Sequence, residues 1–393
     1  MLSSRIPADL APNRIGHTVG RLRAARAKLI DLTESNPTRV GLRFPPGLLR
    51  GTAGQEIEAY RPAPLGLPAA RAAVAAHLAR PGRPVAAERV ALTASTSEAY
   101  GFLFKLLCDP GDAVLVPRPS YPLFEHLTRL EGVRALPYAL EHHGRWELDL
   151  GGLRAALTPR ARAVLLVNPN NPTGSFVSPG EVEAVARICR ERDLALISDE
   201  VFGAYPMNGA APAPSVLDRP RPDVLAFSLG GLSKAVGLPQ LKLGWMVVDG
   251  PAAAVERALA GLELIGDTYL SVAAPVQLAA GALLAEGAAV TAQIAARVRG
   301  NYAALRRRVA RHPALRLPPV DGGWYAVLQI PATEPEETVV LELLERDRVL
   351  VHPGYFFDFP REAFLVVSLL PAPEAFEAGI ARVLARVAGG CGR

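Results

Sequence analysis

The feature that most constrains this chain is a repeated alternation, between Arg89 and Val248, of short wholly apolar runs with helix-patterned segments. Val90-Ala-Leu-Thr93, Ala113-Val-Leu-Val116, Ala163-Val-Leu-Leu-Val167, Leu194-Ala-Leu-Ile-Ser198, Val224-Leu-Ala-Phe-Ser228 and Leu243-Gly-Trp-Met-Val-Val248 all read as strands. None alternates apolar with polar, as a strand with one wet face does. Strands that are apolar throughout are buried on both faces, and the helices between them supply the cover. The fold class expected is therefore α/β, with a large domain holding a mostly parallel sheet between helices.

The 393 residues exceed one ordinary core, so further units are expected. Residues 1–45, rich in Pro, Arg and Asn, read as an N-terminal arm with a helix over Ile15–Leu29 and a polar loop over Asp31–Arg39. Residues 46–285 form the large domain. Residues 286–393 form a smaller α/β domain, with strands at Gly323–Ile330, Val349–His352 and Phe364–Leu369 and helices at Glu336–Arg346 and Glu374–Ala388.

Several function classes are set aside by composition. The net charge of +5 comes from arginines scattered through Ala-rich helical contexts, such as Arg21–Lys28 and Arg306–Arg308, which read as solvated helix faces rather than a nucleic-acid footprint. Cys108, Cys189 and Cys391 have neither paired spacing nor a neighbouring His cluster, so no disulfide framework and no metal are expected. The first residues lack a secretory pattern. The apolar stretch Ala273–Val290 is interrupted by Gln277 and Glu286. A cytoplasmic setting is the expectation.

In open α/β sheets ligands bind beyond the carboxyl ends of the strands. Four stretches fall there. Ser95-Thr96-Ser97 opens a helix, where free amides and hydroxyls suit a phosphate. Asn168-Pro-Asn-Asn-Pro-Thr-Gly174 is a stiff turn that presents Asn170 and Asn171. Asp199-Glu200 ends a strand, and strand periodicity lets only one of the two face a given pocket. Lys234 sits on a Gly/Ser loop between two core strands, with Lys242 eight residues on. A pocketed lysine reaches its neutral form more easily, as a carbonyl-binding lysine must. Each stretch has a plainer reading: an N-cap, a rigid turn, a strand-end carboxylate facing water, a surface lysine. Together, in this order, they fit a pyridine aldehyde phosphate.

The motifs Asn-Asn-Pro-Thr-Gly (170–174), Ser-Asp-Glu-Val (198–201), Ser-Lys (233–234), Lys-Leu-Gly-Trp (242–245) and Pro119-Ser-Tyr-Pro122 resemble those of the fold-type I pyridoxal-phosphate-dependent aminotransferases of class I/II, the aspartate aminotransferase superfamily. The likeness runs from about Asp31 to the C-terminus. It implies pyridoxal 5'-phosphate held as a Schiff base on Lys234. It also implies Asp199 on the pyridine nitrogen, Asn171 on the ring hydroxyl and Tyr121 stacked on the ring. Thr96, Ser97, Ser233 and Lys242 would lie near the phosphate. A tyrosine from the neighbouring subunit reaches the phosphate in this family. Tyr60 is the match, so a homodimer with shared sites is implied, acting on a small-molecule amino donor and an oxo-acid acceptor.

Three departures stand out. Phe202 replaces the tyrosine usual three residues after the aspartate. Lys242 replaces a phosphate-binding arginine, keeping the charge without the bidentate grip. Val366 stands where the family carries the arginine that clamps a substrate carboxylate, with Arg39 and Arg361 as candidate substitutes. Trp324 and Tyr355 are candidates for shaping the substrate side chain or for plain core. The reaction implied is amino-group transfer between an amino acid and a 2-oxo acid, with Lys234 as the base at Cα. The missing clamp keeps a lyase or decarboxylase on the same fold as the alternative. A cofactor-binding regulator without turnover is disfavoured by the retained Lys234 and Asp199.

Overall fold

The computed structural model describes residues 2–53, 60–207, 213–219 and 223–389, and Cys391 lies outside them. The arm opens with helix α1 (Arg14–Ala24), capped by the Asn13 side chain, which accepts from the Gly16 amide. The helix stops five residues short of the expected Leu29, because Arg26 turns into the left-handed region at φ 53°. Strand β1 (Ile30–Asp31) follows and takes in the first residue of the expected loop Asp31–Arg39. It is held by a partner distant in sequence that no local pattern reveals. Helix α2 (Pro68–Leu78) then leads into the large sheet.

Its strands and covering helices are β2 (Val90–Thr93), α3 (Thr96–Leu107), β3 (Ala113–Arg118), α4 (Phe124–Leu130), β4 (Arg134–His142), β5 (Trp146–Leu148), α5 (Leu150–Ala155), β6 (Ala161–Val167), α6 (Pro179–Arg192), β7 (Ala195–Asp199), β8 (Ala226–Gly231), α7 (Leu232–Ala235) and β9 (Gly244–Asp249). The spatial order is β2-β9-β8-β7-β6-β3-β4-β5. The run from β8 to β4 is parallel, while β9 is antiparallel to both β2 and β8. The hairpin β4–β5 was not read from sequence. Its polar stretch, Glu141-His-His-Gly-Arg145, hides the continuation of the strand past Tyr138.

Alternation along each strand feeds two cores. Leu165, Ile197 and Phe227 point to the face covered by α3 and by α8 (Ala252–Tyr269), together with Leu103 and Leu262. Val164, Leu166 and Leu196 point to the other face, with Val185 and Ile188 of α6. This is the two-sided burial that the apolar runs require.

Helix α9 (Ala274–Val309) is 36 residues long. By length and composition alone it could cross a membrane, yet Leu283 packs under β2 and β9, and Ile294 and Leu305 pack in the core of the C-terminal part. The expected boundary at residue 285 falls inside this helix, which serves both parts. Beyond it come β10 (Tyr325–Gln329), α10 (Glu336–Glu345), β11 (Val349–Leu350), β12 (His352–Pro353), β13 (Phe364–Ser368) and α11 (Pro373–Gly389). Strands β10, β13 and β12 form an antiparallel sheet, and β11 pairs in parallel with β1. The expected strand Val349–His352 is thus split between two sheets. The arm is stitched on further where the Ser368 amide donates to the Leu32 carbonyl at 2.7 Å.

Candidate active site

The parallel strands end at one edge, and the segments that leave it converge there. Strand β8 runs into Gly230-Gly231 and then into the single helical turn α7, which carries Lys234. The sequence reading of this segment as a loop is corrected, since it is helical and packed. A Cβ on Gly230 would lie 2.4 Å from the Trp245 indole nitrogen, so only glycine lets β8 and β9 close at this point. The Lys234 carbonyl accepts from the Tyr205 hydroxyl. Its amine points inward, 4.8 Å from the centre of the Trp324 ring and 5.6 Å from that of Phe202. Burial pulls the Lys234 pKa down to about 8, against the Asp199 charge, which holds it up.

Asp199, the last residue of β7, is 7% exposed. One carboxylate oxygen accepts from the Tyr100 hydroxyl at 2.8 Å, and the other from the Val201 amide at 3.2 Å. Burial raises its pKa, while Tyr100, Val201 and Lys234 act to lower it. Glu200 faces away. It accepts from the Val216 amide and the Ser228 hydroxyl, each at 2.9 Å. The alternation argued from sequence thus separates two adjacent acids into one that faces Lys234 and one fixed by its own donors.

Tyr121 is half-buried, edge-on to Phe124 at 5.8 Å. Its pKa is pushed up to about 12 by burial, then by Asp199 and Tyr325. It therefore shares the Asp199 space. The two asparagines of the rigid turn divide their work. Asn170 is consumed locally: its oxygen accepts from the Thr173 amide at 3.3 Å and hydroxyl at 2.8 Å, and its amide donates to the Pro119 carbonyl at 3.3 Å. The sequence reading that both face the pocket is corrected for Asn170. Asn171 is buried at 8% exposure, and its side-chain oxygen has no partner. A buried amide left unpaired is costly, and a ligand with a hydroxyl or ring oxygen would satisfy it.

Thr96 and Ser97 begin α3, behind the N-cap Ser95, whose hydroxyl accepts from the Glu98 amide at 3.1 Å. A Cβ on Gly244 would lie 2.8 Å from the Ser95 carbonyl carbon and 3.0 Å from the Thr96 nitrogen. Glycine thus brings the start of β9, two residues after Lys242, against this helix start, as an anion cradle requires. Ser233 lies half-buried beside Lys234, and Lys242 is exposed at the end of a tight turn. Tyr60 is 80% exposed and belongs to a surface cleft with Pro62, Pro64 and Leu270 rather than to the Lys234–Asp199 space of its own chain. Val366 is fully buried in β13, opposite Val327 and His352. Arg39 and Arg361 are both exposed, the latter over the Phe364 ring at 5.8 Å. Tyr355 is exposed as well.

Two participants were missed or undervalued in sequence. Tyr100 sits mid-helix among apolar residues and reads as core. Its place four residues after Thr96, on the same helix face, was the available signal. Tyr325 lies beside Ser35 and Glu34 of the arm and acts on Tyr121, which brings the arm over the site. Among the described residues no group of acids, histidines and cysteines suits a metal ion.

Residues 43–378 match the aminotransferase class I and II family. The chain is 27% identical over 383 residues to the glutamate-pyruvate aminotransferase AlaA of Escherichia coli, spanning 92% of this chain and 91% of that one. It is 28% identical over 378 residues to an alanine aminotransferase of Mycobacterium tuberculosis, spanning 92% and 86%. Among solved structures, alanine aminotransferase from Pyrococcus furiosus superposes with a TM-score of 0.87 at 25% identity, over 97% of this chain and 98% of that one.

Proposed function

The chain belongs to the class I and II aminotransferases, and on that premise we propose that pyridoxal phosphate occupies the space between Lys234 and Asp199. The observation that carries this is a buried amine and a buried carboxylate whose charges act on each other, together with a buried and unpartnered Asn171 oxygen. Such a set fits the group from several sides. Lys234 would hold it covalently, Asp199 would face its protonated ring nitrogen, and Asn171 would meet its ring oxygen. Tyr121 would lie on its face. The start of α3, with Thr96, Ser97 and Ser233, would take the phosphate, with Lys242 adding charge. When bound, the cofactor supplies an electron sink for the pair released at the substrate Cα.

The chain's own work is proton management and positioning. Lys234, whose amine burial makes easier to deprotonate, would take the Cα proton of the amino donor onto Nζ and hold it there for return. Tyr100 and Val201 favour the charged form of Asp199 against the burial that raises its pKa, and an ionised Asp199 would favour a cationic ring nitrogen. Tyr205 fixes the lysine backbone. The relatives' names support an amino acid and a 2-oxo acid as donor and acceptor. We also read the enzyme as a homodimer in which Tyr60 serves the partner's phosphate, a reading supported by its exposure in one chain.

The test is reductive trapping. Borohydride added to the full-length protein with pyridoxal phosphate should fix one label, mapped to Lys234 by peptide mass, and Lys234→Ala should abolish it. Amino donors should then yield oxo acids and the aminated cofactor. A label on another lysine, or ammonia or carbon dioxide released in place of the aminated cofactor, overturns the proposal.

A further inference from the structure

The surroundings of the Lys234 amine are unusual in one respect. Among the described residues, Asp199 is the one ionisable group that acts on its charge. Tyr100 donates to Asp199 instead, the Asp199 charge acts on Tyr121, and Tyr205 is engaged with the lysine carbonyl. What lies against the amine is aromatic: Trp324 at 4.8 Å and Phe202 at 5.6 Å from nitrogen to ring centre, both within cation–π reach. The two rings meet edge-on at 5.3 Å and 63°, and Tyr205 supports the indole from another side at 5.1 Å and 64°.

The indole also leaves something unsatisfied. Trp324 is fully buried, and its ring N–H has no acceptor. A phenylalanine there would avoid that cost. What an indole offers in return is the strongest π face among the side chains. The position thus keeps the face at the expense of the donor, and the face is turned to a lysine.

We propose that Trp324 and Phe202 form an aromatic seat for the ammonium of Lys234, acting as positioning residues for the reaction. The inference rests on the reading of Lys234 as the reactive lysine. In the cycle the amine must take up a proton at Nζ and later give it back. A second carboxylate would compete for that proton. The rings stabilise the cation and cannot accept the proton, so it stays on Nζ, held where it will be needed. Asp199 is left to its other partner. Phe202, in place of the tyrosine usual in this family, adds a second face without a hydroxyl that would titrate.

The test measures the Lys234 ionisation in the full-length protein without cofactor, so it is independent of turnover. Acylation of Lys234 by acetic anhydride is followed against pH by peptide mass. Tryptophan is replaced biosynthetically at Trp146, Trp245 and Trp324 by 5-fluoro- and then 5,6-difluorotryptophan, which weaken the π face and keep its shape. The Lys234 midpoint should fall stepwise with fluorine count, and by roughly 0.5–1.5 pH units in Trp324→Leu. Trp324→Phe should recover part of the fall, and Phe202→Leu should show a smaller one. In the Trp324→Phe background the fluorine effect should vanish. A midpoint indifferent to fluorination, or a fluorine effect that survives Trp324→Phe, overturns the seat. Failure of borohydride to label Lys234 would instead remove the functional reading and leave this measurement standing.

Discussion

Removing the Tyr100 hydroxyl should expose how the Asp199 charge is maintained. The 2.8 Å bond joins two buried side chains, and the donor serves a carboxylate whose pKa burial has already raised. A hydrogen bond to a charged group is worth about 1.5–3 kcal/mol, equivalent to about 1–2 pH units in the acceptor's pKa. In Tyr100→Phe the ring packing is kept and only the donor goes. The Asp199 pKa rises further, so the acid limb of kcat/KM should move to higher pH by about 1–2 units. Stability gives a second readout with a definite sign. An acid whose folded pKa lies above its unfolded value stabilises most below the unfolded pKa, and loses that contribution as pH rises through the folded one. The deficit of Tyr100→Phe relative to the parent should therefore grow with pH, approaching about 1.5–3 kcal/mol at neutrality and shrinking in acid. Urea titrations of the cofactor-free protein across pH measure it. An unmoved acid limb together with a deficit constant in pH would refute the reasoning, since Tyr100 would then be packing alone.

The paired asparagines should separate binding from folding. Asn171→Ala removes a side chain whose oxygen has no internal partner, so cofactor-free stability should change by less than about 0.5 kcal/mol, while the cofactor Kd rises about 5- to 30-fold by fluorescence titration. Asn170→Ala breaks the turn's own bonds to Thr173 and Pro119 and should cost about 2–4 kcal/mol of stability; the reverse pattern would show that the roles are misassigned. His352 offers a pH test: burial lowers its pKa to about 4 against the pull of Asp31. The unfolded chain takes that proton first, so stability should fall as pH drops from about 6.5 towards 4, by at most about 3 kcal/mol. His352→Leu should flatten that part of the urea-midpoint profile, and an unchanged slope would show that His352 titrates normally in the fold.

The strands and the edge where they end were legible because parallel strands covered on both sides have no polar positions to confuse the pattern. The split between Asp199 and Glu200 was legible for a related reason: a period of two leaves adjacent residues no choice. Legibility failed where partners are remote in sequence. Strand β1 depends on Val349–Leu350, more than 300 residues on, and nothing local in Ile30-Asp31 announces it. Asn170 and Asn171 are indistinguishable by composition, and only the closed turn shows which amide is already spent. Tyr100 and Trp324 lie in apolar runs, where an aromatic residue defaults to core. Each is core, and each also touches a charged group from that position.

That double role follows from the physics of the site. An amine and a carboxylate at a sheet edge would ordinarily be solvated, and their pKa values would then stay ordinary. Burying them gives Lys234 its near-neutral amine but also threatens to neutralise Asp199, because desolvation opposes both charges. The chain has to favour the acid's charge without lending the lysine a second base. A hydroxyl from within α3 does the first, since it donates to Asp199 and is too weak an acid to lose its own proton there. Aromatic faces do the second, since they attract a cation and bind no proton. Both devices must come from residues that are themselves buried, and this is why the side chains that govern the charges are those a sequence pattern assigns to packing. The same logic bears on the substrate side. Val366 is an apolar, fully buried residue of β13, and Arg39 and Arg361 stay in solvent. Among the described residues, Lys234 is the cation whose charge acts on the Asp199 carboxylate.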